Sequence, residues 1–260
     1  METDAITTLL QDVAAEVITP RFRALDSDQI DEKNPGDLVT VADREAEVLL
    51  TDSLLAAYPD AVVLGEEAFA GDPTLADRFA TAAHSFTVDP VDGTKNFVHG
   101  SPDHAVMVAE LRDGVVVRSW IWQPQHETAY VAELGAGAFC NGERLHVTPP
   151  AGPPETWRGA TSRRSWVGES LAGGRPLAQS WVCCGVDYPK LVDGAADYLL
   201  YGVTMPWDHA PGGLLLTEAG GVLRSPDGSP YDPRTRHRSG LIAAASTEVY
   251  DDVAAAWPDL

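Results

Sequence analysis

The 260-residue sequence predicts a layered α/β or α+β fold, in which helices and sheets share one large core. Three observations carry that expectation. Apolar residues recur at helical spacing near both ends of the chain, short β-prone runs that stop at turn residues lie between them, and residues 105–133 read as an antiparallel meander.

Taken in order, Ile6, Leu9, Leu10, Val13 and Val17 make a first helical stripe, with Thr3 or Asp4 available as its cap and Pro20 to kink or end it. The polar segment 26–37, which contains Lys33-Asn34-Pro35-Gly36, reads as a loop or a loosely paired hairpin. Ala46, Leu49, Leu50, Leu54 and Ala57 form a second stripe, and Asp43 stands near its start, where a carboxylate caps free amides. Ala61 to Leu64 is a short buried strand ending at Gly65-Glu66-Glu67, and Asp72-Pro73 opens a short helix. Phe86-Thr87-Val88 is another β-prone run, which feeds into Asp89. The meander follows as Ala105 to Leu111, a turn at Asp113-Gly114, Val115 to Trp122, and Thr128 to Glu133.

Proline and glycine crowd Thr148 to Pro154, which divides the chain into halves 1–148 and 155–260. In the second half Trp181 to Cys184 reads as a strand, 189–196 as a short helix and Tyr198 to Tyr201 as a strand. Trp207 to Gly212 leads into a helix over Leu214 to Ala219, with Pro211 in its first turn and Gly220-Gly221 as its stop, so Asp208 falls at a helix amino terminus. Leu241 to Ala245 gives a last strand, and Ser246 caps a terminal helix carrying Val249, Val253 and Trp257.

Composition narrows the function. Apolar residues at 44% and charged residues at 22% are ordinary for a globular protein. No apolar run has membrane-spanning length, and Met1-Glu2-Thr3-Asp4 is acidic and lacks a signal core, so a cytoplasmic protein is expected. The three cysteines, with Cys183 and Cys184 adjacent, fit neither a disulfide framework nor the spacing of a structural zinc site. Eighteen basic against 39 acidic residues leave a net charge of −21, which repels nucleic acid and anionic membranes. A phosphate-ester substrate would then need a bound divalent cation to invert the local potential.

The acids themselves supply that option. Asp43, Glu66-Glu67, Asp89 with Asp92, and Asp208 all follow strands or open helices, positions that converge in a layered fold. Singly, each has an ordinary reading: a cap for Asp43, a solvated turn for the glutamates, and a surface turn for Asp89-Pro90-Val91-Asp92-Gly93. Jointly, Glu66, Asp89, Asp92 and Asp208 provide the oxygen ligands that a hard cation such as Mg²⁺ takes, including a carboxylate shared by two metals. Gly93 and Thr94, opening a turn of helix, add backbone amides for a phosphate group.

Gly65-Glu66-Glu67, Asp89-Pro90-Val91-Asp92-Gly93-Thr94-Lys95-Asn96-Phe97 and Trp207-Asp208-His209-Ala210-Pro211-Gly212 resemble, in order and spacing, the three signatures of the inositol monophosphatase family. The resemblance runs from Lys33 to Gly221. It implies an α-β-α-β sandwich shared with fructose-1,6-bisphosphatase, a homodimer, and a lithium-sensitive, Mg²⁺-dependent phosphomonoesterase holding two or three metal ions. Carried over residue by residue, Glu66, Asp89 and the Val91 carbonyl hold a first metal, and Asp89, Asp92 and Asp208 a second. Glu67 acts at one remove, or through water on a third metal. Asp43 and Thr94 orient and deprotonate the attacking water, and Gly93 and Thr94 receive the phosphate.

Tyr201 departs from the pattern. It occupies the place where inositol-specific members carry a glutamate for the inositol hydroxyls, and it brings a hydroxyl but no charge. Tyr201 and Cys184 are therefore expected on the alcohol side, with Lys33, Cys183, Asp187 and His209 as further lining. The resemblance implies a small phosphate monoester, inositol monophosphate or a similar polyol phosphate. Histidinol phosphate, the 3′-phosphate of adenosine 3′,5′-bisphosphate and sugar phosphates are the alternatives. One bacterial relative also acts in transcription antitermination, but the intact acid set favours an enzyme and the charge opposes direct RNA contact. Trp120, Trp122, Trp157, Trp166 and Trp181 read as core or interface residues, and His99, His104 and His126 as surface or hydrogen-bonded ones.

Overall fold

The computed structural model describes residues 1–34, 36–171, 173–202, 204–235 and 239–257. Through the first half, the elements are α1 (Thr3–Val13), β1 (Ile30–Asn34), β2 (Asp37–Thr40), α2 (Val41–Ala57), β3 (Val62–Gly65), α3 (Glu66–Gly71), α4 (Leu75–Thr81), β4 (His84–Asp92), α5 (Thr94–Val98), β5 (Ala105–Arg112), β6 (Val115–Gln123), β7 (Thr128–Glu133), β8 (Gly137–Cys140) and β9 (Glu143–Arg144). The second half adds β10 (Gly159–Thr161), β11 (Ala178–Gln179), α6 (Cys184–Val192), β12 (Tyr198–Tyr201), α7 (Pro206–Glu218), β13 (Val222–Arg224), β14 (Leu241–Ala244) and α8 (Thr247–Ala255).

Strands β3 to β9 form a seven-stranded sheet in sequence order, parallel only between β3 and β4. A second sheet of five strands runs β11-β10-β12-β14-β13, and β1 and β2 pair as a hairpin, the closer of the two expectations for that segment; Pro35 lies outside the described residues.

Period-two patterning lets both sheets be covered on both faces. On β5, Val106 and Val108 pack with Ile6, Leu10, Leu50 and Leu54 of α1 and α2, whereas Ala105 and Met107 face Tyr188 and Leu191 of α6 and Leu214 and Leu215 of α7. On β12, Leu199 and Tyr201 join that same inner cluster, whereas Tyr198 and Leu200 turn out toward Trp157, Trp166 and α8. The result is the expected α-β-α-β layering, with α8 laid on the outer face of the second sheet. The inner cluster draws on residues from both sides of the proline-rich segment 148–154. Trp120, Trp157 and Trp166 are core residues, as expected.

Two local expectations are corrected. Trp181 to Cys184 is a turn rather than a strand: Val182 takes φ 57, the Trp181 amide donates to Asp187 Oδ1 at 2.8 Å, and Cys183 becomes the N-cap of α6. A carboxylate reaching back from the helix to the Trp181 amide wins there over β propensity, so the helix starts at Cys184 instead of 189. Helix α7 likewise begins earlier. Pro206 takes its first turn and Pro211 lies inside it, yet Asp208 still falls in the first turn.

Candidate active site

The site is organised by a bulge at the end of β4. Residues three apart on a regular strand point to opposite faces. Here Asp89 pairs with Met107 and Asp92 with Ala105, so two residues of β4, Pro90 and Val91, oppose one of β5, Val106. The extra residue returns Asp92 to the side of Asp89, and Pro90, which has no N–H to leave unpaired, is tolerated in such a bulge. Oxygens of Asp89, Asp92 and Asp208 consequently lie within 4.8 Å of one another, with Asp208 delivered from the first turn of α7.

Gly93 follows at φ 79, a conformation that favours glycine. A Cβ there would also sit 3.0 Å from the Cys183 Cβ and 3.1 Å from the Asp103 carbonyl. This turn presents Thr94, whose hydroxyl lies 3.0 Å from Asp43 Oδ1 and 3.0 Å from the Val91 carbonyl. Asp43 does cap α2, but as the third residue of a reciprocal box: its Oδ2 accepts from the Thr40 amide at 2.9 Å and from the Thr40 hydroxyl at 2.5 Å. Capping and site roles therefore use different oxygens of the same carboxylate.

Glu66 and Glu67 open α3 directly after β3. Lys33, expected on the alcohol side, lies on these glutamates instead, its Nζ 2.5 Å from Glu66 and 2.8 Å from Glu67. Burial opposes the Lys33 ammonium, but the two glutamates outweigh it and hold its pKa above the ordinary lysine range.

Burial governs the carboxyls. It pushes Asp43 up to about 6, and Glu66 up to about 7 against the pull of Lys33. Asp92 rises to about 6 for the same reason, opposed by donors from Cys183 Sγ at 3.0 Å and the Gly185 amide at 2.5 Å. Asp89 and Asp208 are raised well above the ordinary carboxylate range, by burial and then by neighbouring carboxylates. Asp89 Oδ1 is buried with no hydrogen-bond partner among the described residues. Clustered, desolvated carboxylates with an orphaned oxygen are costly unless a cation neutralises them, so the donor set fits a hard divalent metal.

The remaining predicted residues fall on the α6 side. Cys184 is half-buried at the start of α6, and burial together with Asp92 and Asp208 holds it as a thiol. Tyr201 is only 2% exposed. It stacks on Tyr188 with centroids 5.7 Å apart, meets the His209 ring edge-on, and sends its hydroxyl to Asp187 Oδ2 at 3.4 Å rather than toward solvent. Burial raises Asp187 to about 8 while its Oδ1 holds the Trp181 amide.

Sequence reasoning missed three supports. Thr40 anchors Asp43, a Thr-x-x-Asp pattern legible as a capping box. Asn96 Nδ2 donates to the carbonyls of Asp103 and Trp181, tying the Gly93 turn to the α6 turn. Glu47, one helical turn beyond Asp43, accepts from the Glu67 and Ala68 amides; its only sequence signal is the four-residue spacing from Asp43.

Residues 2–258 match the inositol monophosphatase family. The chain belongs to that family. The family is metal-dependent, and the cluster of Asp89, Asp92 and Asp208 could hold a metal ion. The chain is 32% identical over 229 residues to an inositol-1-monophosphatase of Rhizobium meliloti (strain 1021), covering 83% of this chain and 82% of that one. It is 29% identical over 239 residues to a putative Nus factor SuhB of Neisseria meningitidis, covering 86% of each. Among solved structures, the Thermotoga maritima IMPase superposes with a TM-score of 0.78 at 26% identity, over 96% of this chain and 95% of that one. The SuhB protein of Bartonella henselae gives 0.79 at 25%, over 97% and 96%. This member of the family is a phosphatase hydrolase, and no helix among its described residues is long and apolar enough to cross a membrane.

Proposed function

We propose that this phosphatase hydrolyses the monoester of a small polyol, inositol monophosphate foremost, using Mg²⁺ held by Glu66, Asp89, Asp92, Asp208 and the Val91 carbonyl, with two or three ions per site. The observation that carries this reading is the convergence of Asp89, Asp92 and Asp208 beside the hydrogen-bonded Thr94 and Asp43. Bound metal would lower the pKa of a nearby water, neutralise phosphoryl charge and ease departure of the alkoxide.

The chain's own groups do the rest. While the Thr94 hydroxyl donates to Asp43, its lone pairs stay free to accept from an incoming water, so a proton passes from water to Thr94 and from Thr94 to Asp43. The Gly93 and Thr94 amides receive phosphate oxygens. Glu67 shares Lys33 with Glu66 and so steadies that ligand. Cys184 stands on the alcohol side, where Tyr201 acts through Asp187. In this reading residues 1–148 carry metal and phosphate, and residues 155–260 supply Asp208 and the alcohol-facing groups.

The test is phosphate release with Mg²⁺ across inositol, histidinol, nucleotide 3′- and sugar phosphates, with Asp92→Asn as blank. Preference for a polyol phosphate is the expected result. Because Tyr201 replaces a hydroxyl-binding glutamate, preference for histidinol phosphate or adenosine 3′,5′-bisphosphate is the outcome that reassigns the alcohol. The SuhB relatives favour one other reading, a regulatory protein; co-purification with RNA polymerase and no phosphate release would install it. A cytoplasmic homodimer completes the proposal, and a monomer in sedimentation would exclude the dimer.

A further inference from the structure

The Gly-Glu-Glu segment contains a glycine whose backbone does not call for one. Gly65 has φ −94 and ψ 154, extended values open to any residue. What excludes a side chain is Glu47: a Cβ on Gly65 would lie 2.3 Å from its Cδ and 2.5 Å from each of its oxygens. The Glu47 carboxylate, from α2, occupies the place of a helix cap. Its Oε2 accepts from the Glu67 amide and its Oε1 from the Ala68 amide, both at 2.7 Å. Helix α3 is six residues long, and its own N-cap, Gly65, offers no side chain. A helix so short does not hold its first turn by propensity alone.

We propose that Glu47 is a positioning residue for metal binding, fixing the first turn of α3 and thereby the placement of Glu66, and that Gly65 is glycine in order to admit it. The assignment rests on the reading of Glu66 as a metal ligand. Asp43 lies one turn earlier on the same helix, so α2 sets both the Thr94 partner and the glutamate arm of the site. Sub-ångström placement of ligands by groups behind them is a general requirement of metal centres.

The experiment is calorimetric Mg²⁺ titration of the full chain as wild type, Glu47→Gln, Glu47→Ala, Gly65→Ala and Gly65→Ala/Glu47→Ala, below the melting temperature of each. Removing such a support typically lowers metal affinity by roughly 10- to 100-fold, the loss expected for Glu47→Ala. Gly65→Ala should lose a comparable factor by displacing the intact carboxylate. The double variant should be no weaker than Glu47→Ala, because the added methyl then meets empty space; this non-additivity is what an unrelated structural defect would not produce. Glu47→Gln, which keeps an acceptor oxygen without the charge, should fall between. Wild-type affinity in folded Glu47→Ala or Gly65→Ala, or additive losses in the double variant, overturns the assignment. Absence of Mg²⁺ binding by the wild type overturns the metal reading beneath it, and this inference falls with it.

Discussion

Replacing Thr40 by valine keeps its shape and removes only a hydroxyl, which serves the fold and the site at once. Its oxygen accepts from the Ala42 amide at 3.1 Å and donates to Asp43 Oδ2 at 2.5 Å. Thr40 is fully buried and Asp43 1% exposed, so water cannot substitute for either bond. The cap contributes about 1 kcal/mol and the bond to a carboxylate about 1.5–3 kcal/mol, so Thr40→Val should lose about 3 kcal/mol. For a chain this long, that corresponds to a melting temperature lower by about 6–12 °C. Thr40→Ser keeps both bonds and should lose only about 1 kcal/mol, the contribution of the missing methyl. In Thr40→Val, Asp43 keeps only the Thr40 amide as anchor, so kcat should fall by roughly tenfold at 25 °C with KM little changed, as expected for a group acting on the attacking water. The assays are thermal unfolding and Mg²⁺-dependent phosphate release. A Thr40→Val protein with wild-type kcat, or a Thr40→Ser protein as damaged as Thr40→Val, refutes the reasoning.

Other expectations are independent of that one. Asp92→Asn and Asp208→Asn should abolish phosphate release while the metal-free protein melts no lower than wild type, since each removes one member of a mutually repelling carboxyl cluster; retained activity in either dismisses the ligand assignment. Thr94→Ala should depress kcat more than it raises KM, and a change confined to KM contradicts its place beside the attacking water. Tyr201→Phe should alter KM for polyol phosphates by no more than about twofold, because its hydroxyl faces Asp187 at 3.4 Å; a large rise would show that it turns to the alcohol. In chelator, stability should fall as pH rises. Asp43 and Asp92 move from 3.8 to about 6 on folding and Glu66 from 4.5 to about 7, so the folded chain binds protons more tightly. Their contribution is complete below the unfolded values and lost through the folded ones. A melting temperature in chelator that is higher at pH 8 than at pH 5 would contradict this, and Mg²⁺ should narrow the gap.

Much of the site is legible in the chain because its acids sit in local signals. Asp89 follows an apolar strand run, Glu66 follows another, and Asp208 opens a helix, so strand ends and helix starts alone suggest a carboxylate cluster. Layering is legible for a similar reason: residues such as Val106 and Met107 alternate, and a sheet with two apolar faces must be covered twice. The turn at Trp181–Cys184 is not legible, because its β-prone side chains are overruled by one carboxylate, Asp187, reaching back from the helix.

Residue identity, order and spacing thus determined by themselves a layered fold with acids at its strand ends and helix starts, and carried the resemblance to the inositol monophosphatase family. Only tertiary structure decided how those acids meet. One bulge turns Asp92 to the side of Asp89, Lys33 lands on the glutamates, Tyr201 points to Asp187, and Glu47 fills the space that Gly65 leaves open. Each of these depends on a backbone offset or a contact between residues 14 to 34 apart or lying on different strands, and local pattern does not encode such distances.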